Sequence, residues 1–282
     1  MRADVTSGHA VGFLLRLIDA GTADRVRARI GLPRPASKGL TQARRQLTAA
    51  PPWGSTAVPS SVLLWVLEED DPDLNFVVWQ HRSTDSGLRR AVLRGEPFGP
   101  DGSRSVRVHR SLRHHDLRVP EPVTRLGLVG ALREVTTMGI ARETVTMVTG
   151  RGDWVAVAEA DHEQPLPGYA RWALSVRPDC PPALRERFGS HAKFTHRVRQ
   201  AGVLAGPAEY TTSHSPAAHV LKILSLGHVM FPARVRQAED ALRPLVREHL
   251  GDREEAWAVL AQLVDTFHGT APELVVTAGA IA

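Results

Sequence analysis

Two stretches of this chain repeat one another at a distance of ninety-six residues, and that limits the fold more than any composition figure. His81-Arg82-Ser83-Thr84-Asp85-Ser86-Gly87-Leu88-Arg89 matches Arg177-Pro178-Asp179-Cys180-Pro181-Pro182-Ala183-Leu184-Arg185, with Phe76 falling on Trp172 and Val78 on Leu174. A second match, at an offset of twenty-six, lays residues 59–67 over residues 85–93. Val62, Trp65, Val66 and Leu67 then coincide with Leu88, Ala91, Val92 and Leu93. Each unit reads as a helix, a turn, a short helix and a polar joint. A helical pair of this size cannot bury its apolar face alone and must stack on a neighbour.

The rest of the chain follows the same helical grammar. In 252–268, Trp257, Leu260, Val264 and Phe267 recur at spacings of three and four, the stripe of a half-buried helix. Asp252 is placed to cap it, with Glu255 three residues on. Thr270, Pro272 and Glu273 then mark the start of the next helix. The pattern predicts helices near 8–19, 22–30, 40–48, 60–69, 73–82, 85–94, 121–135, 139–149, 152–163, 168–176, 181–188, 192–201, 216–226, 232–249, 252–268 and 271–279. Pro244 is expected to kink or split the 232–249 helix. Residues 31–39 and 49–59 hold five prolines and three glycines and read as connectors. Strand signals are scarce, since aromatics make up 5% of the chain and no alternating run is bounded by hairpin turns. The polar stretch 95–120 is expected to be an insertion or a seam between helical repeats in 1–95 and in 121–282.

The acid–proline joints Asp70-Asp71-Pro72-Asp73-Leu74, Thr84-Asp85-Ser86-Gly87-Leu88 and Asp179-Cys180-Pro181-Pro182-Ala183-Leu184 resemble those of the leucine-rich repeat variant and HEAT-like class of helical repeat proteins. The resemblance covers 59–95 and 165–200. It implies an all-α fold, an irregular α-solenoid of stacked helical hairpins with a concave surface. Some variant-repeat proteins carry an N-terminal cysteine-ligated iron–sulfur module. With Cys180 as the one cysteine, that part does not transfer.

Charge is segregated along the chain far more than the net +5 suggests. Arg104, Arg107, Arg110, Arg113 and Arg118, interleaved with His109, His114 and His115, face one acid, Asp116. If helical, the four arginines at 104, 107, 110 and 113 form one stripe, suited to a polyanion or an acidic partner. The stretch 25–45 adds Arg25, Arg29, Arg44 and Arg45 among seven cations with no acid, and Arg185, Lys193 and Arg197 belong to a third run. Glu68, Glu69, Asp70, Asp71 and Asp73 are the acidic counterweight. Read blandly, all these charges are the solvated faces of amphipathic helices.

Several chemistries are excluded or lack an anchor. A single cysteine rules out a disulfide framework and a cysteine-only zinc site. No lysine stands in a Gly-x-x-x-x-Gly-Lys loop, and no Gly-x-Ser-x-Gly elbow, Gly-x-Gly-x-x-Gly loop or His-Glu-x-x-His helix occurs. His109/His114, His191/His196 and His214/His219 are each five apart, which turns their rings to diverging sides of a helix. His114-His115-Asp116 could lend ligands only from a loop. Cys180 reads as a packing position rather than a nucleophile. Trp65, Trp172 and Trp257 read as core, Trp79 and Trp154 as partly exposed. No apolar run approaches a membrane span, and Arg16 and Asp19 interrupt any signal-peptide pattern.

No catalytic residue, metal or cofactor is expected. The expectation is a non-enzymatic, cytoplasmic binding or scaffold protein that uses the concave face of its solenoid for a protein partner. The alternative is a nucleic-acid-binding protein. HEAT-like DNA glycosylases acting on alkylated bases combine aromatics with a carboxylate on a concave helical face, and Trp65 with Glu69 is the matching pair here.

Overall fold

The structure, a computed structural model, describes residues 5–33, 39, 41, 43, 58–100, 102, 105–189 and 192–282. Among these there are sixteen α-helices and no strand, so the all-α expectation holds. The expected helix at 40–48 falls mostly outside the described residues. The helices are α1 (Val5–Leu14), α2 (Ala20–Ile30), α3 (Ser60–Leu67), α4 (Pro72–Gln80), α5 (Ser86–Arg94), α6 (Glu121–Arg133), α7 (Met138–Thr144) and α8 (Arg151–Glu163). They continue with α9 (Gly168–Ser175), α10 (Pro182–Phe188), α11 (Ala192–Gln200), α12 (Pro207–Ser213), α13 (Ala217–Met230), α14 (Pro232–His249), α15 (Glu254–Leu263) and α16 (Ala271–Ile281). No described helix is long and apolar enough to cross a membrane.

The chain forms two compact units. The first joins residues 1–56 to 204–282, and the second is the continuous stretch 57–203. The boundaries at 95 and 120 read from the sequence are not those of the units. Residues 95–120 lie inside the second unit, where Val106 and Leu112 are buried. The guanidinium of Arg90, itself buried, donates to the carbonyls of Leu117 (2.7 Å) and Arg118 (2.8 Å). Two buried apolar anchors and a buried arginine make this stretch part of the unit rather than a seam.

In the first unit, α1 packs on α13, although two hundred residues separate them, and α2 packs on α15. A linear stack, in which each repeat meets only its chain neighbours, does not do this. Nine residues of α13 are buried, and each large aliphatic among them contributes about 1.5–3 kcal/mol. The cap signals are mixed. Thr270 and Glu273 form the expected capping box of α16, with Thr270 N–H donating to Glu273 Oε2 at 2.8 Å. The helix α15 starts after Arg253 with no side-chain cap, so Asp252 does not serve there. The helix α14 runs through Pro244 as one element, since its solvent-facing side tolerates one lost hydrogen bond.

In the second unit chain neighbours pack together, α3 on α4, α4 on α5, α6 on α7 and α9 on α10, and other contacts cross the chain order, α9 on α7 and α5 on the 3-10 turn Val145–Met147. The ninety-six-residue repeat is visible in the helix starts, 72 and 168 for α4 and α9, 86 and 182 for α5 and α10. It is also visible in burial. Leu74, Val77, Val78, His81, Thr84, Leu88 and Val92 are buried, and so are their counterparts Ala170, Ala173, Leu174, Arg177, Cys180, Leu184 and Phe188. The helix α6 departs from the regular pattern. Its Gly127 has φ of 71° and ψ of 176°, a conformation closed to other residues, so the apolar run expected at 121–135 becomes two short turns of helix.

Candidate binding site

The stripe that the arginine spacing would make on a helix is not formed by the basic segment 105–118. That segment is extended apart from one 3-10 turn, Arg110–Leu112. Arg107, Arg110, Arg113 and Arg118 are exposed and in no ion pair among the described residues, while Arg104, Arg44 and Arg45 lie outside the described residues. The segment is nevertheless held firmly. Leu112 is buried under the turn, and Arg90 grips residues 117 and 118 from below. Burial, and secondarily Arg94, lowers the pKa of Arg90, a cost that the two carbonyl acceptors offset.

Two histidines dock this segment on α4. His109 stacks on Phe76 with centroids 4.3 Å apart and planes 13° from parallel, and His115 tilts on Trp79 at 4.7 Å. Ser111 N–H donates to His109 Nδ1 at 3.2 Å, which leaves Nε2 facing the Asp73 carboxylate at 3.6 Å. Between this segment and the first turn of α4 lies a cavity of about 340 Å³, lined by Pro72, Asp73, Arg107, Val108, His109 and Arg110. The site thus combines two free guanidinium groups with one carboxylate. The neighbouring acids are already engaged. Asp70 accepts from the N–H groups of Phe98 (2.8 Å) and Gly99 (3.1 Å), and Asp71 caps α4 by accepting from Asp73 and Leu74 N–H.

A second cavity, about 280 Å³, is lined by Arg94, Glu96, Ser105, Arg151 and four residues near them. Its arginines are occupied. Arg94 donates to Thr149 Oγ1 at 2.9 Å, and Arg151 to the carbonyls of Gly99 and Pro100.

The other basic residues singled out in the sequence divide sharply. Arg25 and Arg29 pair with Glu254, and Arg29 also with Glu255, in the first turn of α15. They join two helices and are not a free face. Arg185 is a helix cap: it donates to the carbonyls of Ser175 (3.0 Å), Arg177 (2.9 Å) and Pro178 (3.3 Å), closing the C-terminal end of α9. Its repeat counterpart Arg89 donates to the carbonyl of His81 at 3.0 Å. Lys193 and Arg197 are exposed on α11.

Sequence reasoning missed a buried charge at Arg177. Arg177 donates from Nε and Nη2 to Asp179 at 2.9 and 2.6 Å and from Nη1 to the Val145 carbonyl at 2.6 Å. Trp154, buried against expectation, lies 5.4 Å from this guanidinium and donates to Asp179 at 3.3 Å. Burial alone would lower the pKa of Arg177, but the carboxylates of Asp179 and Asp85 outweigh it and the pKa is raised. Pairing of this kind marks a structural charge. The Cys180 thiol beside it is pushed up to about 12, mainly by burial, so it holds no thiolate for nucleophilic attack at neutral pH.

Trp65 and Glu69 do not share a helical face. Trp65 is in the core, and α3 ends at Leu67, before the carboxylate. Trp172, expected in the core, is half-buried beneath Arg197. Among the described residues no group of three or more potential ligands could hold a metal ion. No family model matches the chain, and neither a curated protein nor a solved structure matches it.

Proposed function

We propose that this is a non-enzymatic binding protein whose second unit, a HEAT-like stack of helical hairpins, holds an acidic segment of a protein partner. The observation that carries the reading is the pair Arg107 and Arg110, exposed and unpaired, flanking a cavity whose opposite wall presents Asp73. A peptide matches both signs. Its Asp or Glu side chains meet the guanidinium forks, and its main-chain N–H groups are donors for the Asp73 carboxylate. A run of phosphates matches one sign and is repelled by the other. The repeat of helix starts and buried positions supports a hairpin stack in this unit, which is the architecture expected to offer a long binding face.

Fluorescence anisotropy with a labelled acidic dodecapeptide tests the proposal. The double variant Arg107→Glu/Arg110→Glu is expected to abolish binding, and Asp73→Asn to weaken it severalfold. Unchanged affinity in the double variant removes this surface from the function.

A further inference from the structure

The second unit carries another basic element with a different construction. The helix α11 has no buried residue. Its two large apolar side chains, Phe194 and Val198, are half-buried, and Phe194 packs against the core and meets Trp172 edge to face at 6.1 Å. The chain leaving α11 is tied to the start of α3. Ser60 Oγ donates to the Ala201 carbonyl at 2.8 Å, and Ser61 N–H to the Gly202 carbonyl at 3.1 Å. The helix is therefore anchored at both ends, to α9 through Phe194 and to α3 through residues 201 and 202. His196, Arg197 and Arg199 are exposed, with the two arginines on opposite flanks of the inward-facing Phe194 and Val198, and 192–200 contains no acid. Arg197 and Arg199 are in no ion pair among the described residues, and Arg197 lies over the Trp172 ring at 4.3 Å, which holds its guanidinium plane in place.

We infer that α11 is a contact face for the phosphodiester backbone of double-stranded nucleic acid, engaged without regard to sequence. Three features of the helix select that ligand. Membrane adsorption needs an apolar face free to enter the headgroup region, and on α11 that face is turned into the protein. Unstacked single strands need an open aromatic platform, and here Arg197 covers Trp172 while Phe194 packs against the core. The acidic-peptide site has a carboxylate wall, and α11 has none. What is left is a pair of exposed guanidinium groups, one on either flank of an anchored helix without acids, matched to a polymer carrying a negative charge every ~1.7 Å of its axis. This surface is independent of the one built on Arg107 and Arg110.

Anisotropy of the full chain with a labelled mixed-sequence duplex of about 20 base pairs, between about 50 and 200 mM salt, tests it. Arg197→Gln/Arg199→Gln is expected to weaken duplex binding about tenfold and to lower the slope of log affinity against log salt by about two. Binding of the acidic dodecapeptide should stay at its parental value, so failure here and failure of the peptide site are read separately. Both side chains are exposed, and an unchanged thermal melt shows that the variant is folded. The inference is overturned if duplex affinity is unchanged, or if single strands bind more tightly than the duplex. It is equally overturned if Arg142→Gln/Arg236→Gln, a change of the same charge at exposed positions elsewhere, lowers affinity as much, because binding then follows net charge alone.

Discussion

The helices α4 and α5 and the helices α9 and α10 are two copies of one design, and at one pair of equivalent buried positions a histidine in the first stands against an arginine in the second. Seven positions are buried in both copies. In both, an arginine on the second helix closes the first by donating to the same carbonyl, Arg89 to His81 and Arg185 to Arg177. At the shared position, the first copy buries a histidine and the second an arginine. His81 is locally satisfied, with Nδ1 accepting from Ser83 N–H at 3.2 Å. Arg177 reaches outward. It bonds Asp179 and the Val145 carbonyl, and its guanidinium lies close against α5 at Gly87. The shared buried positions thus define each hairpin, while the arginine that stands where the first copy has His81 reaches from the second copy to the first.

The largest break in that comparison comes from removing the divergent charge. Arg177→Ala leaves the Asp179 carboxylate buried without its partner and is expected to cost about 3–5 kcal/mol. His81→Ala in the first copy removes a neutral hydrogen bond and some packing, for about 1–2 kcal/mol. Gly87→Ala attacks the same contact from the other side, since a Cβ there would stand within 2.7 Å of Arg177 Cζ. Urea unfolding followed by circular dichroism measures all three. Equal losses for Arg177→Ala and His81→Ala would show that the two positions do the same work after all.

The capping arginines give the next effect in size. Arg185 donates to three carbonyls and Arg89 to one, while Arg89 Nε is buried without a partner. Arg185→Ala is expected to cost about 1.5–3 kcal/mol and Arg89→Ala about 1 kcal/mol, in proportion to the charge-assisted bonds lost. The same unfolding curves decide it. A larger loss at Arg89 would mean that packing of the aliphatic stem, and not carbonyl capping, sets the value of this position.

The hairpins themselves were legible in the sequence. Periodicity, proline and acid joints place α3, α4, α5, α9 and α10 within two residues of their observed ends, because those signals are local. The roles of the arginines were not legible. Arg185 and Arg107 look alike in a charge count, yet one faces backbone carbonyls and the other water, and a carbonyl leaves no mark in the sequence. The stacking of His109 and His115 on Phe76 and Trp79 joins segments more than thirty residues apart. No spacing rule reaches that far, and an arginine stripe would need a helix that this segment does not form. The pairing of α1 with α13 is longer still, and so the division into units could not be read from a change in composition at 95–120.

The smallest expected effect separates two roles of one carboxylate. In the first copy both helices have aspartate caps, Asp71 on α4 and Asp85 on α5. In the second, α9 and α10 begin after Pro167 and Pro181 with no side-chain cap. Asp85 Oδ1 accepts from Leu88 N–H at 2.9 Å, and Asp85→Ala is expected to cost about 1 kcal/mol as a lost cap. The same carboxylate also acts on Arg177, whose pKa it helps to raise. Asparagine keeps the capping oxygen and removes the charge. If capping is the whole of its work, Asp85→Asn is as stable as the parent. If the charge matters, Asp85→Asn loses stability in the parent but not in an Arg177→Met background, where the charge has nothing left to act upon. A double-mutant cycle across positions 85 and 177 therefore measures how strongly the start of α5 is tied to the other copy.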